Sequence, residues 1–115
     1  MGKRHRQRER LRAPTSEYRD EEGNLLVLRG SMTPATRQAY ADVLGGGFSQ
    51  EDAWHRAVEF LFERLAVRWT VAGLPLERQD ELVGRYRMAS QQERAWIRRV
   101  LREHVAEHFS DLEAP

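Results

Sequence analysis

The residues best suited to chemistry lie near the end of the chain. His104-Val105-Ala106-Glu107-His108 matches the pattern H-x-x-E-H, in which two histidines one helical turn apart bind zinc and the glutamate acts as a base. A zinc enzyme of this kind needs a third protein ligand from further along the chain, and only seven residues follow. Histidines are also favoured near a helix C-terminus because the helix dipole stabilises positive charge there. We therefore expect no metal and no cofactor, and little loss of stability when both histidines are replaced by glutamine.

The other residue types used in catalysis do not occur in catalytic arrangements. The chain contains no cysteine, and no serine lies in a G-x-S-x-G sequence. Glu59 and Glu63 lie one turn apart, but on a polar helix side, whereas a catalytic carboxylate pair needs a shielded pocket to separate its pKa values. Gly45-Gly46-Gly47 lacks the lysine and hydroxyl residue of a phosphate-binding loop. The sequence therefore predicts a protein without catalytic residues that is not an enzyme.

Charge is distributed unevenly along the chain. Residues 1–12 contain six Lys or Arg and one acid, whereas the rest carries 13 basic and 17 acidic residues. Because it has almost nothing to bury, the segment 1–14 is predicted to be a disordered basic arm. Such an arm either solubilises the protein or contacts nucleic-acid phosphates. Its basic residues are Lys3, Arg4, Arg6, Arg8, Arg10 and Arg12.

The elements that must position any site are organised around Glu51–Ala72, which is predicted to be one long helix. Its main apolar stripe recurs every three or four residues, as one helix face requires, and consists of Trp54, Val58, Leu61, Leu65 and Trp69. A second stripe lies beside it and consists of Phe60, Val67 and Val71, with Arg64 among them. The remaining helices either cover that stripe or leave it exposed as an interface. The residues predicted to bind a partner are Phe60, Arg64, Val67, Arg68, Trp69 and Val71.

Shorter elements surround this helix. Glu17–Arg29 has a turn-rich centre at Asp20–Asn24, which predicts a small β-hairpin. Thr33-Pro34 and Ser49 are helix starts, and Ser90-Gln91-Gln92-Glu93 is a capping box. Further helices are therefore predicted from Pro34 to Leu44, from Leu76 to Met88 and from Ser90 to His108.

Together these elements predict a mainly α fold: a small four-helix domain over residues 15–115, with a long central helix and an N-terminal β-hairpin. No apolar run approaches the roughly 20 residues needed to span a bilayer, so we expect no membrane association. The lack of cysteine fits a reducing cytoplasm.

Three segments of the chain carry a family resemblance: EYRDEEGNLLVLRGSMTPAT, QEDAWHRAVEFLFERLAVRWTVAGLPL and ELVGRYRMASQQERAWIRRVLREH. They resemble the tail assembly chaperones of long-tailed phages that infect actinobacteria, or a prophage-derived relative. The resemblance implies a non-enzymatic protein that binds the long, apolar tape-measure protein and keeps it soluble while tail-tube subunits gather on it. It also implies a location in the cytoplasm of the bacterial host cell.

Two functions therefore compete at the level of sequence. The first is an assembly chaperone that binds helical apolar segments, either alone or as a homo-oligomer. The second is a small nucleic-acid-binding regulatory protein that uses the basic arm together with the row Arg94, Arg98 and Arg102 on the last helix. Binding that weakens strongly with salt favours the second function, whereas binding that follows apolar surface favours the first.

Overall fold

The computed structural model describes residues 14–46 and 49–115. These residues form four strands, β1 (Thr15–Arg19), β2 (Leu25–Arg29), β3 (Ala66–Val71) and β4 (Leu74–Leu76), and four helices, α1 (Pro34–Gly45), α2 (Gln50–Leu65), α3 (Gln79–Arg87) and α4 (Gln91–His108). The strands make one antiparallel sheet in the order β1-β2-β3-β4. The predicted mainly α fold is therefore wrong, because the hairpin is only half of a four-stranded sheet and the protein is mixed α/β. The predicted basic arm lies, except for Pro14, outside the described residues.

The predicted central helix ends at Leu65 rather than at Ala72. Ala66 takes extended backbone, with φ −67° and ψ 123°, and the residues after it form β3. The spacing from Leu65 to Trp69 fits a helix, but β-branched and aromatic residues in this stretch also favour a strand. Pairing with β2, which places Leu26 opposite Trp69, decides between the two. The prediction that the helix continues past Leu65 was therefore wrong, because β2, which is distant in sequence, pairs with these residues.

A tight turn joins β3 to β4, and the helix that follows is shorter than predicted. Ala72 and Gly73 both have positive φ, 50° and 79°, as in the two-residue turns that match the twist of antiparallel strands. Leu74 then pairs with Val71, and Leu76 pairs with Trp69. Because Leu74–Leu76 belongs to the sheet, the helix predicted from Leu76 to Met88 begins only at Gln79.

The predicted helix starts are confirmed. Thr33 and Ser49 each accept a hydrogen bond from the backbone N–H three residues further on, over 3.1 Å. Ser90 and Glu93 form the reciprocal capping box, with backbone-to-side-chain distances of 3.0 and 3.1 Å. Each such cap stabilises its helix by about 1 kcal/mol. These signals are local, and all three predicted starts show the expected hydrogen bonds.

The core lies between the helices and one face of the sheet. Leu26, Leu28 and Trp69 are buried on that face, and the rings of Phe62 and Trp69 meet edge to face at 5.6 Å. The ring of Phe62 also stacks on Tyr86 of α3 at 4.9 Å. The alternate strand residues point to the other side of the sheet, the outer face, which we define by Thr15, Glu17, Arg19, Leu25, Val27, Arg68 and Thr70.

Candidate protein-binding site

The six residues predicted to bind a partner do not form one stripe. Phe60 and Arg64 lie on α2, whereas the other four lie on β3. Trp69 is 1 % exposed and belongs to the core, so it offers no surface to a partner in this structure. Arg68 lies on the outer face, with its guanidinium 3.8 Å from the carboxylate of Glu77.

Phe60 is partly covered by another helix. Its ring stacks on Tyr40 of α1 at 6.3 Å, and the guanidinium of Arg64 lies 5.2 Å from its centre. Tyr40 itself is buried and donates its hydroxyl hydrogen to the backbone oxygen of Glu113 over 2.5 Å. α1 therefore covers this part of the predicted stripe, which was one of the two alternatives left open by the sequence.

Arg64 and Val67 remain together at the rim of a groove that the sequence did not predict. This α1–β3 groove has a volume of about 500 Å3 and lies between the start of α1, the end of α2 and the start of α3. Its apolar lining includes Met32, Val67 and Leu82, and charged groups of both signs surround that lining. The residues that define the groove are Arg29, Met32, Arg64, Val67, Glu77 and Leu82.

Val67 reaches the groove because the sheet is irregular at this point. Val27 pairs with Arg68, but the next residue of β2, Leu28, pairs with Ala66, so Val67 is the extra residue of a β-bulge. A bulge bends the strand and re-aims a side chain, and bulges are frequent near functional sites. The Val67 side chain is partly buried and lies outside the core cluster. An apolar side chain is thus held at the groove rim by backbone geometry.

Val71 lies at a different groove, at the opposite end of β3. This turn groove has a volume of about 780 Å3 and is defined by Glu22, Asn24, Val71, Ala72, Trp96 and Arg99. Asn24 connects the turn of the β1–β2 hairpin to that of the β3–β4 hairpin. Its Oδ1 accepts from the backbone N–H of Ala72 and its Nδ2 donates to Asp20, both over 2.9 Å. The sequence identified Asn24 only as a turn residue, since its second partner is 48 residues away.

The two histidines of the H-x-x-E-H pattern belong to a polar cluster between α4 and the sheet. His104 is fully buried, and its Nε2 donates to the backbone oxygen of Arg29 over 2.8 Å. Because that nitrogen carries the hydrogen, the Nδ1 lone pair accepts from the hydroxyl of Tyr18, also over 2.8 Å. His108 is hydrogen-bonded to Ser16 over 3.0 Å, and its ring lies 4.5 Å from that of His104. Both nitrogens of His104 are therefore used in holding α4 on β1 and β2.

Burial shifts the pKa values of His104 and Tyr18. It lowers the pKa of His104 below its ordinary value, and neighbouring His108 acts in the same direction. The hydrogen bond to Arg29 and the charge of Glu107 oppose this shift only in part. Burial also raises the pKa of Tyr18, which keeps its hydroxyl protonated as a donor. Among residues 14–46 and 49–115, no group of three acidic, histidine or cysteine side chains could hold a metal ion.

The arginine row on α4 is engaged inside the chain. Arg94 donates to the backbone oxygen of Arg87 over 2.8 Å, and Arg102 donates to that of Pro115 over 3.1 Å. The guanidinium of Arg98 lies 5.1 Å from the ring centre of Trp54. Contact of this row with phosphates would compete with these interactions. The basic arm itself lies outside the described residues.

The two carboxylates that were considered as a catalytic pair, Glu59 and Glu63, have different surroundings. Glu59 accepts from Arg87 over 3.0 Å, whereas Glu63 is exposed at the rim of the α1–β3 groove.

No helix in the described part of the chain is long and apolar enough to cross a membrane.

Comparisons of this chain with protein families, curated proteins and solved structures found no match in any of the three.

Proposed function

We propose that this protein is a non-enzymatic assembly chaperone that binds an apolar helical segment of a client protein in the α1–β3 groove. The observation that carries the proposal is the meeting of Arg64 and Val67, predicted from sequence as partner-binding residues, at this groove. The resemblance to phage tail assembly chaperones gives the client class, a tail tape-measure protein that must stay soluble until tail-tube subunits surround it.

The composition of the groove suits an amphipathic helix. Met32 and Val67 are partly exposed apolar side chains that a client can contact, above the buried Leu82, and methionine adapts to different shapes. Arg64 and Glu77 provide charges of opposite sign at the rim. Arginine pairs well with carboxylates while its methylene groups lie on apolar surface. A client helix with a leucine-rich stripe bordered by charged residues matches both properties.

The competing function is nucleic-acid binding through Lys3, Arg4, Arg6, Arg8, Arg10 and Arg12. Salt distinguishes this function from the first, because phosphate contacts release counterions and weaken steeply as the salt concentration is raised. Binding of an apolar helix in the α1–β3 groove changes little over the same range of salt.

The test is co-expression with overlapping fragments of a long tape-measure protein encoded beside this gene. We expect at least one fragment to move from the insoluble to the soluble fraction and to co-purify with the chain in high salt. Absence of a tape-measure gene among the genes beside this one would contradict the phage assignment. Fragments that stay insoluble, or a chain that retains only nucleic acid, would contradict the chaperone function.

A further inference from the structure

β1 is an edge strand of the sheet that the described residues form. Gly30 donates to the oxygen of Pro14 over 2.7 Å, and Asp20 donates to that of Asn24 over 3.0 Å. In an antiparallel ladder such pairs alternate, so the even-numbered residues of β1 direct their N–H and C=O groups to β2. Thr15, Glu17 and Arg19 therefore direct theirs away from the sheet. No strand within the described ranges pairs with that side of β1.

The odd-numbered residues of β1 are exposed, whereas the helix-side face of the strand is covered by α4. His104 of α4 contacts both Tyr18 on β1 and the backbone oxygen of Arg29 on β2, so α4 lies over these two strands. The opposite edge, β4, is only three residues long and contains Pro75, which has no N–H to donate. β1 has five residues and neither proline nor bulge. It is the better edge of the two for adding a strand.

We infer that β1 pairs antiparallel with β1 of a second copy, which joins two four-stranded sheets into one of eight strands. The outward groups belong to odd-numbered residues, so hydrogen-bonded pairs must join odd to odd. The register that we favour places Glu17 opposite Arg19 of the second copy, and the reverse, with Tyr18 opposite its own equivalent. Opposite charges directly across a strand pair stabilise it, whereas the register that places Glu17 opposite itself brings like charges together.

The dimer is expected to be weak and reversible. Two five-residue edges bury less surface than a typical stable interface. Pairing uses none of the residues that line the α1–β3 groove. Dimer formation and client binding can therefore fail independently.

Sedimentation velocity of the full chain over a range of concentrations tests the inference. Glu17 and Arg19 are exposed, so reversing their charges leaves the monomer folded, which circular dichroism checks. Glu17→Arg and Arg19→Glu each replace both attractive pairs by repulsive ones, and each should weaken the dimer by about tenfold. The double variant exchanges the charges and should restore an affinity close to that of the unchanged protein.

Glu81→Arg is the matched control, because it makes the same charge change at an exposed residue of α3 rather than beside β1. It should leave dimer formation unaltered. A chain that stays monomeric at all concentrations overturns the inference, and so does a double variant no better than the singles. A dimer that appears only after deletion of residues 1–12 overturns it too, because the edge would then be occupied by the chain's own N-terminal segment.

Discussion

Tyr18 on β1 donates its hydroxyl hydrogen to Nδ1 of His104 on α4, and the two residues are 86 positions apart in sequence. With the bond from His104 to the backbone oxygen of Arg29, this contact connects the last helix to both strands of the first hairpin. A buried imidazole with both nitrogens engaged is a structural residue, and its replacement is costly because it leaves the Tyr18 donor and the Arg29 acceptor without partners. The expectation that both histidines are dispensable for stability is revised accordingly.

Stability should fall in mild acid because of His104. Its pKa is lowered in the folded protein, mainly by burial, so the unfolded chain binds a proton that the folded chain does not. The contribution of this group is complete above the unfolded pKa of about 6.5 and is lost as pH falls from there through the folded pKa. Urea unfolding at a series of pH values measures this loss.

His104→Gln should lower the free energy of unfolding by about 1–3 kcal/mol at neutral pH and reduce its pH dependence below 6.5. His55→Gln is the control, because the side chain of His55 is 70 % exposed. It should change neither quantity. An unaltered pH profile in His104→Gln would show that another group is responsible.

Asn24→Ala should destabilise the fold, because it removes the acceptor for Ala72 and the donor to Asp20 at a residue that is only 8 % exposed. We expect a loss of about 1–3 kcal/mol in the free energy of unfolding. Thermal or urea unfolding measures it, and Asp20→Ala combined with Asn24→Ala separates the contribution of their contact. A loss below about 0.5 kcal/mol, as at ordinary surface sites, would mean that the two hairpin turns are held by other contacts.

Residues 1–12 are predicted to be dispensable for folding, since they contain one leucine and seven charged side chains. Their deletion should leave the melting temperature nearly unchanged, as differential scanning calorimetry would measure. A loss of several degrees would mean that this segment packs on the body. Deletion should also remove salt-dependent binding to nonspecific DNA or RNA, if the chain has any.

Val67→Glu should leave the monomer folded. The side chain is partly buried on a bulge and lies outside the core cluster, so a carboxylate there can turn toward solvent in the groove. Because the position is partly buried, the free energy of unfolding should fall by about 1 kcal/mol, which leaves the monomer folded. Unfolding of the variant monomer would identify Val67 as ordinary core and would remove the α1–β3 groove as a candidate site.

Sequence reasoning succeeded where the signal is local and failed where it is not. The helix starts at Thr33, Ser49 and Ser90 depend on a side chain and a backbone N–H three residues away, so the sequence alone reveals them. The end of α2 depends on β2, and the spacing from Leu65 to Trp69 gives no sign of that pairing.

The candidate site was predictable only in part, for the same reason. Arg64 and Val67 were identified on the assumption of a single helix, yet they meet at the groove through a helix end and a bulge. Met32 and Leu82 are brought to the same groove by tertiary packing alone, and no spacing in the sequence connects them.

The most direct test of the central claim is the affinity of the purified protein for a soluble tape-measure fragment, measured by isothermal titration calorimetry at low and high salt. Val67→Glu should weaken binding by about tenfold or more, since one buried apolar anchor commonly contributes over 1 kcal/mol. Thr70→Glu, on the same strand but on the outer face, should bind like the unchanged protein. Equal affinities for the two variants, or an affinity that falls steeply with salt in all three proteins, would contradict binding in the α1–β3 groove.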